Sequence, residues 1–140
     1  MLGDIEKIPL KKFHLKKGDL FHGIKKSDKL FYGFGEIYFS WINYNSVKAW
    51  KYHKEMHLNL IVPLGRVLFV FYDQKTIETK EFIVGDDNYA RLSVPKNIWY
   101  GFKGLSKTDN LVVNVASVEH DDNEVLSKNL EEINYDWKLD

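Results

Sequence analysis

Residues 47–73, VKAWKYHKEMHLNLIVPLGRVLFVFYD, decide how the rest of the chain is read. The first half sets Lys48, Lys51, His53 and His57 in an aromatic frame, and the second half is almost wholly apolar, broken by Pro63 and Gly65. Side chains alternate between the two faces of a strand. Lys51, His53, Glu55 and His57 therefore share one face, with Trp50, Tyr52 and Lys54 on the other. Either the first set points to solvent, or it converges inside a concave sheet and makes a site. The run RVLFVFY at 66–72 is apolar on both faces, which marks a central strand.

The flanking sequence repeats this β character. Residues 4–13 and 20–24 read as short strands, joined by a turn at Lys16-Lys17-Gly18-Asp19. Leu30 to Tyr44 is aromatic and β-branched, with Gly33 and Gly35 suggesting a bulge or a close backbone approach. Strands are expected at 47–53 and 57–62, then a turn at Pro63-Leu64-Gly65. Further strands are expected at 66–72, 77–84, 89–95, 98–103 and 111–118. Residues 121–130 read as a short C-terminal helix or extended arm, and 133–137 as a return to the sheet. Nine to eleven short strands with turns every eight to twelve residues describe an all-β sandwich or barrel. The 140 residues form one domain, 1–140, long enough for a single core. No internal repeat or linker interrupts it.

Lys plus Arg and Asp plus Glu are 20 each, so net charge gives no reason to expect nucleic acid or an anionic membrane as partner. Neutrality gives weak protection against self-association, which suits an oligomer. The absence of cysteine removes disulfides, thiolate metal sites and a Cys nucleophile, and suits a cytoplasmic protein. The N-terminus shows no signal-peptide pattern, and no apolar run reaches the length of a membrane span. Gly33-Phe34-Gly35 lacks the third glycine of a dinucleotide loop, and Ser40 and Ser46 sit in no nucleophile elbow.

Several segments in order carry a family resemblance: the Lys17–Phe21 turn and strand, V-K-A-W-K-Y-H, L-G-R-V-L-F-V-F-Y-D, L-S-V-P-K-N-I-W-Y-G-F-K-G-L-S, and a late Trp. Over about residues 8 to 137 the chain resembles the dTDP-4-dehydrorhamnose 3,5-epimerases and the related dTDP-sugar 3,4-ketoisomerases. The resemblance implies a double-stranded β-helix, the cupin jelly roll, usually a homodimer, with no cofactor. It also implies a nucleotide-sugar substrate in surface polysaccharide biosynthesis. The chemistry implied is epimerisation or ketoisomerisation of a dTDP-4-keto-6-deoxy sugar by proton abstraction next to the ketone.

Residue by residue, the resemblance implies many exchanges. Lys48-Ala49-Trp50-Lys51 stands at the epimerases' Arg-Gly-Leu-His, so Lys51 occupies the place of the catalytic His. Lys51-Tyr52-His53 stands at the ketoisomerases' His-x-His and keeps the second His. Tyr100 replaces the His of Pro-x-Gly-x-x-His-Gly-Phe. The proton-donor Tyr falls on Val113, and the carboxylate supporting the His falls at Asn129 or Leu130, where there is none. In the nucleotide-holding segment Lys17 replaces an Arg and His22 a Glu.

A neutral imidazole suits proton abstraction near pH 7, whereas Lys51 would need its pKa lowered by about two or three units. His53 is thus the expected base. Lys51 is either a fixed cation or a tuned base, and Tyr100 a proton donor or acceptor. Lys48, His57, Lys17, His22 and Trp50 are the expected substrate contacts. Trp41, Trp50, Tyr52, Tyr38 and Phe39 read more as core or dimer interface than as a ligand platform. His53 and His57 lie about 13 Å apart along a continuous strand, too far to share a metal, and no metal site is expected. Two alternatives stand beside the enzyme: a jelly roll that has lost catalysis and keeps a sugar or nucleotide-sugar pocket, and a metal-binding cupin.

Overall fold

The computed structural model describes all residues 1–140. Twelve strands make up nearly all of its regular structure: β1 Glu6–Pro9, β2 Lys12–Phe13, β3 Leu20–Phe21, β4 Glu36–Trp41, β5 Val47–His53, β6 Leu58–Leu64, β7 Arg66–Asp73, β8 Glu78–Gly85, β9 Ala90–Val94, β10 Trp99–Gly104, β11 Leu111–Ala116 and β12 Val125–Ser127. Two five-stranded antiparallel sheets form, in the orders β1-β9-β6-β11-β4 and β12-β5-β10-β7-β8, and β2 pairs with β3 in a separate hairpin. Apart from the β7–β8 hairpin, successive strands from β4 onward alternate between the two sheets, and this is the all-β jelly roll expected from the sequence.

The core follows from alternation. Val67, Phe69 and Phe71 of β7 point between the sheets, where they meet Leu58, Leu60 and Val62 of β6, Leu92 and Val94 of β9, and Phe102 of β10. The opposite face of the same sheet is also apolar, and the C-terminal segment covers it. Trp50, Val70 and Trp99 are packed there against Ile133 and Trp137. Lys103, itself buried, ties the segment down by donating from Nζ to the carbonyls of Trp137 and Lys138 at 2.9 and 3.0 Å. This explains why β7 is apolar on both faces.

Of the helix or extended arm expected at 121–130 the structure has the extended form: Val125–Ser127 pairs with β5, and a single 3-10 turn follows at Leu130–Glu132. Two local expectations are corrected. Residues 133–137 do not rejoin a sheet but lie across one as irregular chain. β6 continues through Pro63 to Leu64, and the turn at Gly65 passes the chain to the other sheet.

His57 is also displaced from its expected role. The chain bends at Lys54–Glu55 and leaves one sheet for the other, so the shared-face argument linking His53 to His57 no longer holds. His57 lies on the outer side of its sheet, with Nε2 2.8 Å from Ser93 Oγ and its ring 4.2 Å from that of Tyr32. Burial pushes the imidazole down from 6.5 to about 4. The unfolded chain therefore takes up a proton near pH 6.5 that the folded chain refuses until about pH 4, and stability falls as pH drops through that interval. Denaturant titrations should show a loss of about 2 kcal/mol, allowing for partial exposure. His57→Gln should flatten the slope between pH 6.5 and 5, and an unchanged slope would contradict this assignment.

Candidate active site

A cavity of about 480 Å³ opens between the two sheets, within the range of small-ligand sites. Met56, Leu60, Phe102 and Val112 give it an apolar floor. Tyr38, Ser40 and Asn114 line one wall, Lys48, Lys51, His53 and Tyr100 the other, and His120, Val125 and Ser127 border it from the C-terminal side.

Strand β5 supplies both lysines and the imidazole because it bulges. Tyr100 of β10 pairs with Lys51, but the next residue, Gly101, pairs with Ala49, so Trp50 is the extra residue. In a regular strand Lys48 and Lys51 would face opposite ways. The bulge lets Ala49, Trp50 and Tyr52 pack on the outer face while Lys48, Lys51 and His53 border the cavity. Glycine at 101 permits this approach, since a Cβ there would stand 2.4 Å from Ala49 Cβ.

His53 is buried, and its Nδ1 lies 2.5 Å from Glu124 Oε1. The other oxygen of Glu124 accepts the amides of Glu55 and Met56 at 3.1 and 3.2 Å. Burial pushes the Glu124 carboxyl up, but the His53 bond and the two amides outweigh it and hold the group below its ordinary range. A carboxylate at Nδ1 fixes the tautomer in which that nitrogen carries hydrogen, leaving Nε2 with a free lone pair. This corrects the expectation that the supporting carboxylate was lost at Asn129 or Leu130. It comes instead from Glu124, which β12 brings beside β5 by pairing Val125 with His53.

Tyr38 is a second residue the sequence reading missed. β4 alternates Glu36, Tyr38 and Ser40 with Ile37, Phe39 and Trp41. The more polar set faces inward, and the apolar set lies outside, 42, 57 and 56% exposed. Tyr38 Oη donates to Glu36 Oε1 at 2.5 Å, and burial together with that carboxylate pushes its phenol up to about 12. The polar-in alternation was the available signal. Val113, where the proton-donor Tyr was expected, instead pairs with Phe39 in register, beside the outer apolar row.

The other expected residues divide. Lys51 is exposed at the cavity mouth, where it can act as a fixed cation. Lys48 donates from Nζ to Ser40 Oγ at 3.1 Å and to the Trp41 carbonyl at 2.7 Å. Tyr100 lies against His53, ring centroids 5.9 Å apart, and burial pushes its phenol well above the ordinary value. Trp50 borders the cavity but is no open sugar platform, because it is 1% exposed and its indole donates to the Leu130 carbonyl at 3.1 Å. Lys17 and His22 sit on the β2–β3 hairpin, which packs through Phe21 on Tyr89, and neither lines the cavity. No three His, Cys, Asp or Glu side chains gather as metal ligands.

No protein-family model matches the chain. The fold superposes on the crystal structure of a dTDP sugar isomerase from Desulfovibrio desulfuricans G20 with a TM-score of 0.90 and 30% identity, covering 96% of this chain and 90% of that one. The sugar 3,4-ketoisomerase QdtA of Thermoanaerobacterium thermosaccharolyticum, solved in complex with TDP, shares the fold at a TM-score of 0.76 and 22% identity, over 95% of this chain and 93% of that one. Among curated proteins, a probable low-salt glycan biosynthesis epimerase of Haloferax volcanii is 27% identical over 90 residues, 60% of this chain and 58% of that protein. The spore coat polysaccharide biosynthesis protein SpsL of Bacillus subtilis is 24% identical over 126 residues, 84% of this chain and 83% of that one.

Glu124→Ala strips the acceptor from His53 and from two backbone amides. It should destabilise the fold by about 3 kcal/mol at neutral pH in urea titrations. Glu124→Gln should cost less. It should also remove the part of the acid destabilisation that sets in below the ordinary carboxyl pKa, because a depressed carboxyl contributes stability above that value and loses it as pH falls. Wild-type stability in both variants would contradict the pairing.

Proposed function

Since this chain belongs to the dTDP-sugar isomerase and epimerase family, we propose that it epimerises or ketoisomerises a nucleotide-linked 4-keto-6-deoxy sugar for polysaccharide biosynthesis. The observation that carries the reading is the buried His53–Glu124 pair at the cavity wall. His53 Nε2 takes the proton from the carbon beside the ketone, and the Glu124 carboxylate stabilises the imidazolium that forms. Protonation of that carbon on its opposite face gives the epimer, and protonation of the former ketone carbon, with the neighbouring hydroxyl's hydrogen passing to the former ketone oxygen, gives the isomerised ketone. The ammonium groups of Lys48 and Lys51 supply positive charge for sugar oxygens or the diphosphate. The apolar floor of Met56, Leu60 and Val112 offers a place for a deoxygenated carbon. The intact carboxylate–imidazole pair favours this reading over a jelly roll that only binds.

Incubation with dTDP-4-keto-6-deoxy sugars in deuterated water should place deuterium at a carbon flanking the ketone. His53→Asn should reduce that exchange by about 100-fold or more. No exchange with any of several such sugars would overturn the assignment.

The assembly proposed is a homodimer. Ile37, Phe39 and Trp41 form an apolar row on β4, an edge strand, and Val113 and Leu111 of the neighbouring strand lie beside it. A second copy is the simplest cover for such a face in a chain of zero net charge. A cytoplasmic setting suits a chain without cysteine, and no helix is long and apolar enough to cross a membrane. Trp41→Asp should convert a dimer to monomers in sedimentation velocity. A wild-type monomer at micromolar concentration would refute the dimer.

A further inference from the structure

Two phenols border the cavity from opposite sheets, and their hydrogen bonds make them chemically unlike. A phenol has one O–H hydrogen to donate and lone pairs with which to accept. Tyr38 directs its hydrogen at Glu36 Oε1, an oxygen that also accepts the His120 amide at 3.0 Å. The Tyr38 bond and the His120 amide both hold the Glu36 carboxyl below its ordinary range. Glu36 is therefore an anion with no hydrogen to return, and Tyr38 meets a ligand with lone pairs only. Asn114, opposite Tyr38 in register, has its Oδ1 buried without any donor. That wall is rich in acceptors.

Tyr100 is the reverse case. Its hydroxyl bonds to no protein group, yet it is not among the sealed and unpartnered buried atoms, which are Arg66 Nε, Asn114 Oδ1 and Trp137 Nε1. No protein group takes its hydrogen, and the residue lines the cavity, so a ligand there can accept it. The ring is stacked on the base, with an interplanar angle of 25°.

Resting on the function proposed above, we infer that Tyr100 donates to the ketone oxygen while Tyr38 accepts from a sugar hydroxyl, so that the cavity reads a ketone on the β10 wall and a hydroxyl on the β4 wall. The electrons move simply. As His53 Nε2 takes the proton, the C–H pair becomes the C=C bond of an enolate. The carbonyl π pair moves to oxygen, and the Tyr100 O–H bonds that oxyanion. In ketoisomerisation the imidazolium then protonates the former ketone carbon while the neighbouring hydroxyl's hydrogen passes to the oxyanion, so the ketone moves to that neighbour. In epimerisation a proton arrives on the opposite face of the original carbon and the oxyanion's pair reforms the ketone. Burial raises the phenol of Tyr100, which keeps its proton on the ring oxygen throughout.

The test compares Tyr100→Phe with Tyr38→Phe, each of which keeps its ring, after thermal melts have shown both folded. The readouts are deuterium uptake from solvent into a dTDP-4-keto-6-deoxy sugar, kcat and KM separately, and affinity for TDP. Tyr100→Phe should lose about 100-fold in kcat and in exchange with KM and TDP affinity held. Tyr38→Phe should raise KM severalfold with kcat within about threefold, because a ground-state hydroxyl contact affects binding more than the enolate. A larger kcat loss in Tyr38→Phe, or a full rate in Tyr100→Phe, would overturn the inference while the exchange reaction itself stood. An inactive wild type that still binds TDP would remove the parent function and this inference with it.

Discussion

The contact between His53 and Glu124 is the constraint on which the site depends. A lone imidazole in the wall of a cavity has no preferred tautomer and a loose orientation. A carboxylate at Nδ1 settles both. Glu124 is itself held in place by two main-chain amides, so the geometry passes from backbone to carboxylate to imidazole without a flexible link. Burying that charge is tolerable because three donors surround it. β12 is only three residues long, yet its pairing with β5 sets where the carboxylate falls.

The second organising feature is a sandwich whose outer faces are partly covered by irregular chain. The C-terminal segment covers the sheet that carries His53. Across the molecule, residues 22–32 cover the other. There the buried Arg91 bonds Asn59, the Gly23 carbonyl and Asp28, and Asn59 holds the Leu30 carbonyl. These covers let both faces of the central strands be apolar or fully bonded, which leaves the interior free to open into a cavity. Gly35 belongs to the same arrangement. A Cβ there would meet the Val118 backbone at 2.2 Å, so only glycine lets the segment bearing His120 lie so close to β4.

Much of the fold was legible in the sequence, because alternation and turn residues are local signals. The apolar run of β7 and the late strands 90–94 and 99–104 fall where the pattern put them within a residue or two. The site was legible only in part. His53 and Lys51 could be read from strand parity, but Lys48 joins them through a bulge, which parity alone does not reveal. His57 was misplaced because a bend breaks the parity. Glu124 was hidden in an acidic run that resembles a helix start, since a carboxylate 71 residues from its imidazole leaves no periodic trace. Tyr38 was overlooked because aromatic residues in a strand are ordinarily core, and here the more apolar face of β4 is the outer one.

The long separation between imidazole and carboxylate also bears on biogenesis. During translation β5 leaves the ribosome well before residue 124 is made, and the segment with Trp137 that covers Trp50 comes later still. Nascent chains therefore expose an uncovered tryptophan and an unoriented imidazole from the emergence of β5 until the C-terminal segment follows. The cavity wall is finished last, when the final strand brings Glu124 to His53 and the tail docks over Trp50, so a prematurely terminated polypeptide would lack the carboxylate–imidazole pair altogether.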